Sequence, residues 1–376
     1  MILEHCDISE FLFRIEGKRL VCFGAGRELE QLVRSYPEMQ TENHIAYIVD
    51  NNSDLWGGKK VFSNGASIPV YAPHKLVSEK TLSDIIIVIS SSSFWDEILR
   101  QLNSMPNLYN TECYFSMFLL YESHNCKSRT IPRNRINNFP IIPAIIHYFW
   151  FGDRPLPDKH KKFIDGWREH CPGFEIVEWN ERNYDVTKFQ YTRDAALAGR
   201  WSKVATYARF DVINRLGGIC LDTDVEVIKP LDELLYNNAF IGFGDVKLIN
   251  SGSGFGAIKN FKLFDEMREN YDGTLFNSDG TANLAFNSKF ETEFLITKGL
   301  VADGSFQMVD GLTVYPPECF SPMPTFINTD TGIDFATSAT FSIHHYDTTL
   351  ADPVALVKRD LRSELFLSIS KPEQGG

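Results

Sequence analysis

Long apolar runs are missing from this sequence. The longest uninterrupted ones hold five residues, as in Ile85–Ile89, against the ~20 that cross a hydrocarbon core. A membrane-spanning helix is therefore not expected. The start, Met1-Ile2-Leu3-Glu4-His5, carries acids early and no basic stretch ahead of an apolar segment, so no secretory leader is expected either. Cations are scarce. Lys and Arg number 37 against 49 Asp and Glu, a formal net charge of −12, and phosphate backbones are gripped by clustered cations, so nucleic acid is excluded as the main partner. Paired cysteine motifs are absent too. The seven cysteines (Cys6, Cys22, Cys113, Cys126, Cys171, Cys220, Cys319) are odd in number and scattered, with no Cys-x-x-Cys. Several sit in apolar runs, which reads as reduced, buried thiols rather than a disulfide frame or zinc site, and points to a cytoplasmic protein.

What is present suits a globular chain. Its 376 residues predict two or three domains, and 43% hydrophobic content supplies their cores. Through the first ~125 residues strand and helix signals alternate, the pattern of a parallel α/β sheet. Arg19–Phe23 reads as a strand, Gly24-Ala25-Gly26 as a turn and Glu28–Ser35 as a helix. Strands are expected again at His44–Asp50 and at Asp84–Ser90, whose β-branched run suits burial on both faces, and a helix at Ser93–Leu102. Residues 127–140 then bring arginines, prolines and asparagines with little apolar periodicity. The division expected is 1–128 for an N-terminal domain, 129–140 for a linker and 141–376 for a second domain. That second domain opens with strand Ile141–Trp150 and helix Pro157–His170. It continues through strand Phe174–Glu178 and helix Trp201–Leu216, which stops at Gly217-Gly218 before strand Ile219–Leu221. A last amphipathic segment puts Val354, Val357, Leu361 and Leu365 on one face. It could touch a membrane surface, and packing on the core is the simpler expectation.

The sharpest local signal is Gly217-Gly218-Ile219-Cys220-Leu221-Asp222-Thr223-Asp224-Val225-Glu226. Asp222 and Asp224 are two apart at the end of an apolar strand, so both can project to one side. Such a pair makes an oxygen-only site for Mg²⁺ or Mn²⁺, and a cation there would help a diphosphate leave. A bare Asp-x-Asp is most often a surface turn. The preceding helix, double glycine and apolar strand shift the reading toward metal. Arg209, on the helix, offers a planar fork for phosphate or sugar oxygens or is simply an exposed helix cation. His147 and Trp150 end the first strand of this domain, where α/β folds bind ligands, and the indole could stack on a uracil ring or simply fill the core. His344, His345 and Asp347 form another dense cluster. Adjacent histidines on a strand point to opposite faces, so one His or the Asp would enter the site and the other pack.

Residues Ile142–Asp347 resemble the glycosyltransferases of family 32, the group with a sugar-binding Asp-x-Asp region that includes bacterial capsular polysaccharide enzymes. The matching stretches are Ile145–Gly152, Pro155-Leu156-Pro157, Glu178-Trp179-Asn180, Tyr207-Ala208-Arg209, Leu216–Asp232, Tyr315-Pro316 and Ser342–Tyr346. The resemblance implies a GT-A fold, a nucleotide-sugar donor with UDP-sugars first, a divalent metal, retention of anomeric configuration and a saccharide or lipid-linked acceptor. It makes Asp224 the direct metal ligand. Asp222 becomes a ribose and sugar contact that helps the metal, and Arg209 a donor contact. Thr206, Tyr207, His345 and Asp347 fall on the donor side with His147 and Trp150. Three positions depart from the pattern. Thr206 stands where relatives carry an Asp, losing a charge-assisted acceptor of ~1.5–3 kcal/mol, and Thr349-Leu350 stand where relatives often read Ser-Trp. No enzymic nucleophile is evident. A catalytically degenerate nucleotide-sugar-binding scaffold or regulator is the alternative.

The first domain resembles the Rossmann-like domains fused to sugar-modifying and capsule-synthesis enzymes, through Gly24-Ala25-Gly26, Val49-Asp50-Asn51 and Trp56-Gly57. Gly24, Gly26 and Asp50 are its candidate cofactor contacts. Leu29 occupies the place of a third glycine, so nucleotide-sugar or partner binding, cofactor-dependent redox and a scaffold that no longer binds a nucleotide all stay open. The 13% aromatic content fits a cleft facing the C–H surfaces of sugar rings.

Overall fold

The computed structural model describes residues 1–4, 6–35, 40–79, 82–122, 136–244, 247–272, 287–325, 335–347 and 353–370. They fall into two compact units. The first holds the described residues up to 122 and those from 353 onward, and the second those between 136 and 347.

In the first unit, strands β1 (Ile2–Leu3), β2 (Arg19–Phe23), β3 (Ile45–Val49), β4 (Lys59–Val61), β5 (Ser67–Tyr71), β6 (Ile85–Ile89) and β7 (Glu112–Phe115) form a sheet of order β1-β7-β6-β2-β3-β5-β4. All pairs are parallel except β4 with β5. Every side chain of β6 is buried, as its unbroken β-branched run requires. Helices α1 (Ile8–Ile15), α2 (Arg27–Ser35), α3 (Trp95–Asn103) and α4 (Ser116–Glu122) accompany it. Phe11, Ile15, Leu29, Leu32 and Leu119 share one cluster with Leu20, Cys22, Ile86 and Val88, so α1, α2 and α4 cover one face of the sheet. Fully burying each such side chain contributes about 1.5–3 kcal/mol.

The second unit has a mixed sheet made of β8 (Ile145–Phe149), β9 (Glu175–Trp179), β10 (Gly218–Cys220), β12 (Ala239–Gly242), β13 (Phe255–Ala257), β14 (Gln307–Val309) and β15 (Leu312–Tyr315). Its order is β14-β15-β12-β13-β10-β8-β9. β9, β8 and β10 run parallel, β13 is antiparallel to both its neighbours, and β12 is parallel to β15. A separate antiparallel ladder joins β11 (Val225–Val227) to β16 (Ser342–His344). The helices are α5 (Asp158–His170), α6 (Gln190–Leu197), α7 (Trp201–Leu216), α8 (Lys262–Asp272) and α9 (Asn287–Thr297). Side chains alternate along β10 and its extension. Ile219 and Leu221 join Ile164 and Trp167 of α5, while Cys220 joins Phe210, Phe264 and Leu295 of α7, α8 and α9. The molecule is thus a mixed α/β protein with two large sheets.

Three expectations need amendment. Helix α10 (Pro353–Ser370) belongs to the first unit, not to a second domain ending at 376. There Phe366 meets Phe118 edge-on at 5.1 Å, and Arg362 donates to the Ser92 carbonyl. Its packed face carries Ser363 and Phe366, whereas Val357 and Leu361 are 58% and 44% exposed, so the apolar stripe read from sequence is not the buried one. Val354 and the Thr349-Leu350 pair lie outside what can be described, as do Cys126 and residues 129–135 of the linker. The six described cysteines are free and buried. Most of the aromatic excess is core, in groups such as Phe210–Phe255–Phe264 and Phe240–Phe320–Phe341. Among the described residues, no helix is long and apolar enough to cross a membrane.

Candidate active site

Helix α7 is buried along one whole stretch, Thr206 to Ile213, and its polar members must find partners there. It ends at Gly217 (φ 68°) and Gly218 (φ 107°). A Cβ on Gly218 would lie 2.8 Å from His147 Nε2 and from the Ile145 carbonyl, so only glycine lets β10 pass this close to β8. After Cys220 the chain leaves the sheet. Asp222 N–H donates to the Gly252 carbonyl at 3.1 Å, and Val225 N–H to the Asp222 carbonyl at 3.1 Å. Asp222 and Asp224 therefore converge through a turn, and not through strand alternation as their spacing suggested. The ladder that follows sets Val225 opposite His344. Trp167 supports it by donating its indole N–H to the Val225 carbonyl at 2.8 Å.

Four side chains meet at this turn. Arg209 Nη2 lies 3.1 Å from Asp222 Oδ1, and His344 Nε2 lies 3.2 Å from Asp224 Oδ1. Ligand atoms of Asp222, Asp224 and His344 all lie within 4.8 Å of one another. Asp224 is gripped further by its own chain: the Asp347 N–H donates to Oδ2 at 2.8 Å and the His345 N–H to its carbonyl at 3.0 Å. Gly252 leaves room for Asp222, since a Cβ there would sit 2.5 Å from Oδ2. Arg209 is 6% exposed, and its Nε is buried with no hydrogen-bond partner among the described residues.

Electrostatics separate the two carboxylates. Burial holds Asp222 above the ordinary carboxylate value, Arg209 opposes this, and the Asp224 charge adds to it. Burial works the same way on Asp224. There the charge and hydrogen bond of His344 and the Asp347 N–H outweigh it, and the carboxyl is held well below its usual range. His344 is raised in turn, because Asp224 overcomes the desolvation of its ring. A divalent cation fits the donor set of two carboxylates and one imidazole, more mixed than the oxygen-only site expected.

The remaining candidates divide. Asp347 is present at the site, its Oδ2 3.2 Å from His160 Nε2, and the other nitrogen of that imidazole lies 2.9 Å from Thr223 Oγ1. Trp150 is half-buried with its ring edge-on to His160 at 5.9 Å and its N–H on the Arg154 carbonyl, at the rim. His345 points elsewhere. It stacks on Phe163 and bonds Glu226, so His344 is the histidine that enters. His147 is not at the site but is a buried pin. It accepts the Trp179 indole N–H on Nδ1 and so donates Nε2–H to the Gly217 carbonyl at 2.9 Å, and burial pushes its pKa down to about 4. Tyr207 lies in the core, bonded to Asp272 and Arg268. Thr206 Oγ donates to the Ser202 carbonyl and accepts from Asn287 Nδ2 at 2.7 Å, leaving its hydroxyl occupied.

Sequence reasoning missed His160, Ser251, Gly252 and Glu291. Glu291 is wholly buried, and burial pushes its carboxyl up to about 6 against Ser251, Arg209 and Tyr271. In the first unit, Gly24 turns at φ 111° as a glycine must, but Asp50 is held by backbone donors, accepting Ala25 N–H of that turn at 2.7 Å and Asn52 N–H of its own loop at 2.8 Å. Gly26 flanks the same turn.

Residues 157–241 match the family model described as the glycosyltransferase sugar-binding region containing the DXD motif. The match runs from the residue before α5 into β12 and includes Arg209, Asp222 and Asp224. This similarity supports a glycosyltransferase activity. Searches of curated proteins and of solved structures give no match.

Proposed function

We propose that this protein is a metal-dependent, retaining glycosyltransferase that moves a hexose from a nucleotide-sugar, a UDP-sugar first among them, to a saccharide or lipid-linked acceptor in bacterial surface polysaccharide synthesis. The observation that carries the reading is the convergence of Arg209, Asp222, Asp224 and His344 just past the C-terminal end of β10, inside or paired with the matched segment. Ligands of open α/β sheets bind at this end of the strands. Retention, the GT-A fold and the polysaccharide role follow from the family-32 resemblance. The second unit is the transferase, and the Rossmann-like first unit, with α10 added, is its accessory domain.

Asp222, Asp224 and His344 would hold Mn²⁺ or Mg²⁺. Bound there, the cation supplies positive charge for a departing diphosphate. Arg209 holds and orients a phosphate or sugar oxygen, its fork already fixed by Asp222 and buried away from water. Asp224 stays ionised, since protonation would break its contacts with His344 and the Asp347 N–H. The acceptor hydroxyl attacks from the face the leaving group vacates.

A screen of UDP- and GDP-sugars with Mn²⁺, read by thermal shift and then by donor hydrolysis, tests this. A metal-dependent stabilisation and slow hydrolysis are expected with at least one donor, both lost in Asp222→Ala and Asp224→Ala. Full activity in either variant overturns the reading. Thr206, with its hydroxyl occupied by Asn287, favours the second reading of a nucleotide-sugar-binding regulator. Stabilisation without any turnover would select it.

A further inference from the structure

Glu291 is a buried carboxylate without a cation at ion-pair distance among the described residues. Its contacts all come from donors. Ser251 Oγ–H reaches Oε1 at 2.7 Å, Ser251 N–H reaches Oε2 at 3.4 Å, and Tyr271 O–H reaches Oε1 at 3.1 Å. Donors on every side suit the ionised form. Two cations answer its charge: the partly buried Lys203, which Glu291 helps keep protonated, and Arg209, one hydroxyl away, whose Nη1 donates to the same Ser251 Oγ at 3.4 Å.

The guanidinium of Arg209 thus stands between two carboxylates: Asp222 directly on Nη2, and Glu291 through Ser251 on Nη1. The two counter-charges are not equivalent. Asp222 is also one of the three residues that can hold a cation. A cation drawing on Asp222 would take away the near partner of a buried guanidinium, and a buried charge stripped of its partner is strongly unfavourable. Glu291 is not among those three residues. It lies on α9 and is tied to α8 through Tyr271, so it fixes Arg209 of α7 from a different element than the metal-binding turn.

We propose that Glu291 is a positioning residue: through Ser251 it keeps the Arg209 guanidinium compensated and aimed at the donor's anion while Asp222 serves the cation. The proposal rests on the glycosyltransferase reading for the identity of that anion, and on geometry alone for the network.

Two measurements on the full-length protein test it. The first is calorimetric binding of UDP with Mn²⁺ to the wild type, Glu291→Gln, Ser251→Ala, the double variant, and Arg209→Ala with and without Glu291→Gln. A roughly tenfold weaker Kd is expected in each of the two singles, no further loss in their double, and no effect of Glu291→Gln once Arg209 is gone, since coupled residues are non-additive. Wild-type affinity in Glu291→Gln, or additive losses, overturns the proposal. If Glu291→Gln fails to fold, Ser251→Ala decides alone, because it cuts the link while leaving Glu291 on Tyr271. The second measurement is the Arg209 Nε–H NMR resonance, assigned by its loss in Arg209→Lys. It is expected to shift or broaden in Glu291→Gln and Ser251→Ala without nucleotide. If the wild type binds no UDP, the functional reading fails, and an unshifted resonance then overturns the network while a shifted one sustains it.

Discussion

Each unit ends a parallel strand in a glycine-bearing turn with a carboxylate beside it, and the two carboxylates are held in different ways. Asp50 in the first unit accepts two backbone N–H groups, that of Ala25 in the glycine turn after the neighbouring strand β2 and that of Asn52 in its own loop. Asp222 in the second leans on a guanidinium, and Asp224 on an imidazole as well as one N–H. A carboxylate closed by backbone donors is part of the scaffold, since nothing can displace those donors without opening the turn. One balanced by side-chain cations can trade them for another cation. Similar sequence signals, a glycine turn with an acid nearby, therefore mark a finished structure in one place and an exchangeable charge in the other.

The largest expected contrast comes from removing these acids in turn. Asp224→Ala or Asp222→Ala should lower donor turnover about a hundred- to a thousandfold, as loss of a group that stabilises developing charge does. Asp50→Ala should leave turnover unchanged and cost about 1.5 kcal/mol of stability in a denaturation curve. Equal effects on turnover would erase the distinction. Gly252→Ala comes next. Its Cβ would displace Asp222 Oδ2, and a misplaced group of this kind weakens metal-dependent donor turnover by up to about a hundredfold. Gly26→Ala, with nothing within 4 Å of its Cβ, should do almost nothing in the same assay.

Third is the pin beneath the second unit's turn. His147 has its pKa depressed to about 4 from 6.5, so the unfolded chain takes up a proton that the folded one refuses. Stability from this residue is complete above pH 6.5 and is lost as pH falls toward 4, by about 3 kcal/mol. His147→Gln keeps one donor and one acceptor but does not titrate, and its urea-derived stability should fall less steeply over that window. Identical slopes would remove His147 as the cause. Smallest is His345→Ala, expected to cost no more than about 1 kcal/mol through its Phe163 stacking and a partly exposed bond to Glu226, with turnover nearly intact. His344→Ala should instead abolish metal-dependent stabilisation by the donor.

Local order was readable wherever a residue's backbone demand is special. The Gly217-Gly218 stop, the strand after it and the buried run of β6 follow from glycine freedom and β-branched burial. Asp222 and Asp224 stood out through the helix, double glycine and strand before them and Arg209 through the family resemblance, and the structure brings the three together. Tyr207 was readable too, and was missed: two residues before Arg209 on a helix is about 200° around the axis, so it had to face away. Which histidine of the pair enters depends on the Val225–His344 register, which no local pattern states. His160, Ser251 and Glu291 come from α5, a loop and α9, and a lone polar residue in each gives no sign of a common meeting point. On α10 apolar residues are spread around the axis, so sequence did not single out the face bearing Phe366.

The bond from the Asp347 N–H to Asp224 spans 123 residues of chain. During synthesis the turn that carries both aspartates is complete long before its closing strand exists. Such contacts form last, after most of the loop-closure entropy has been met. A nascent chain ending before Ser342 lacks His344 and the backbone clamp on Asp224, so the cluster of Asp222, Asp224 and His344 does not yet exist. Assembly of the cluster is thereby deferred until the unit is nearly whole.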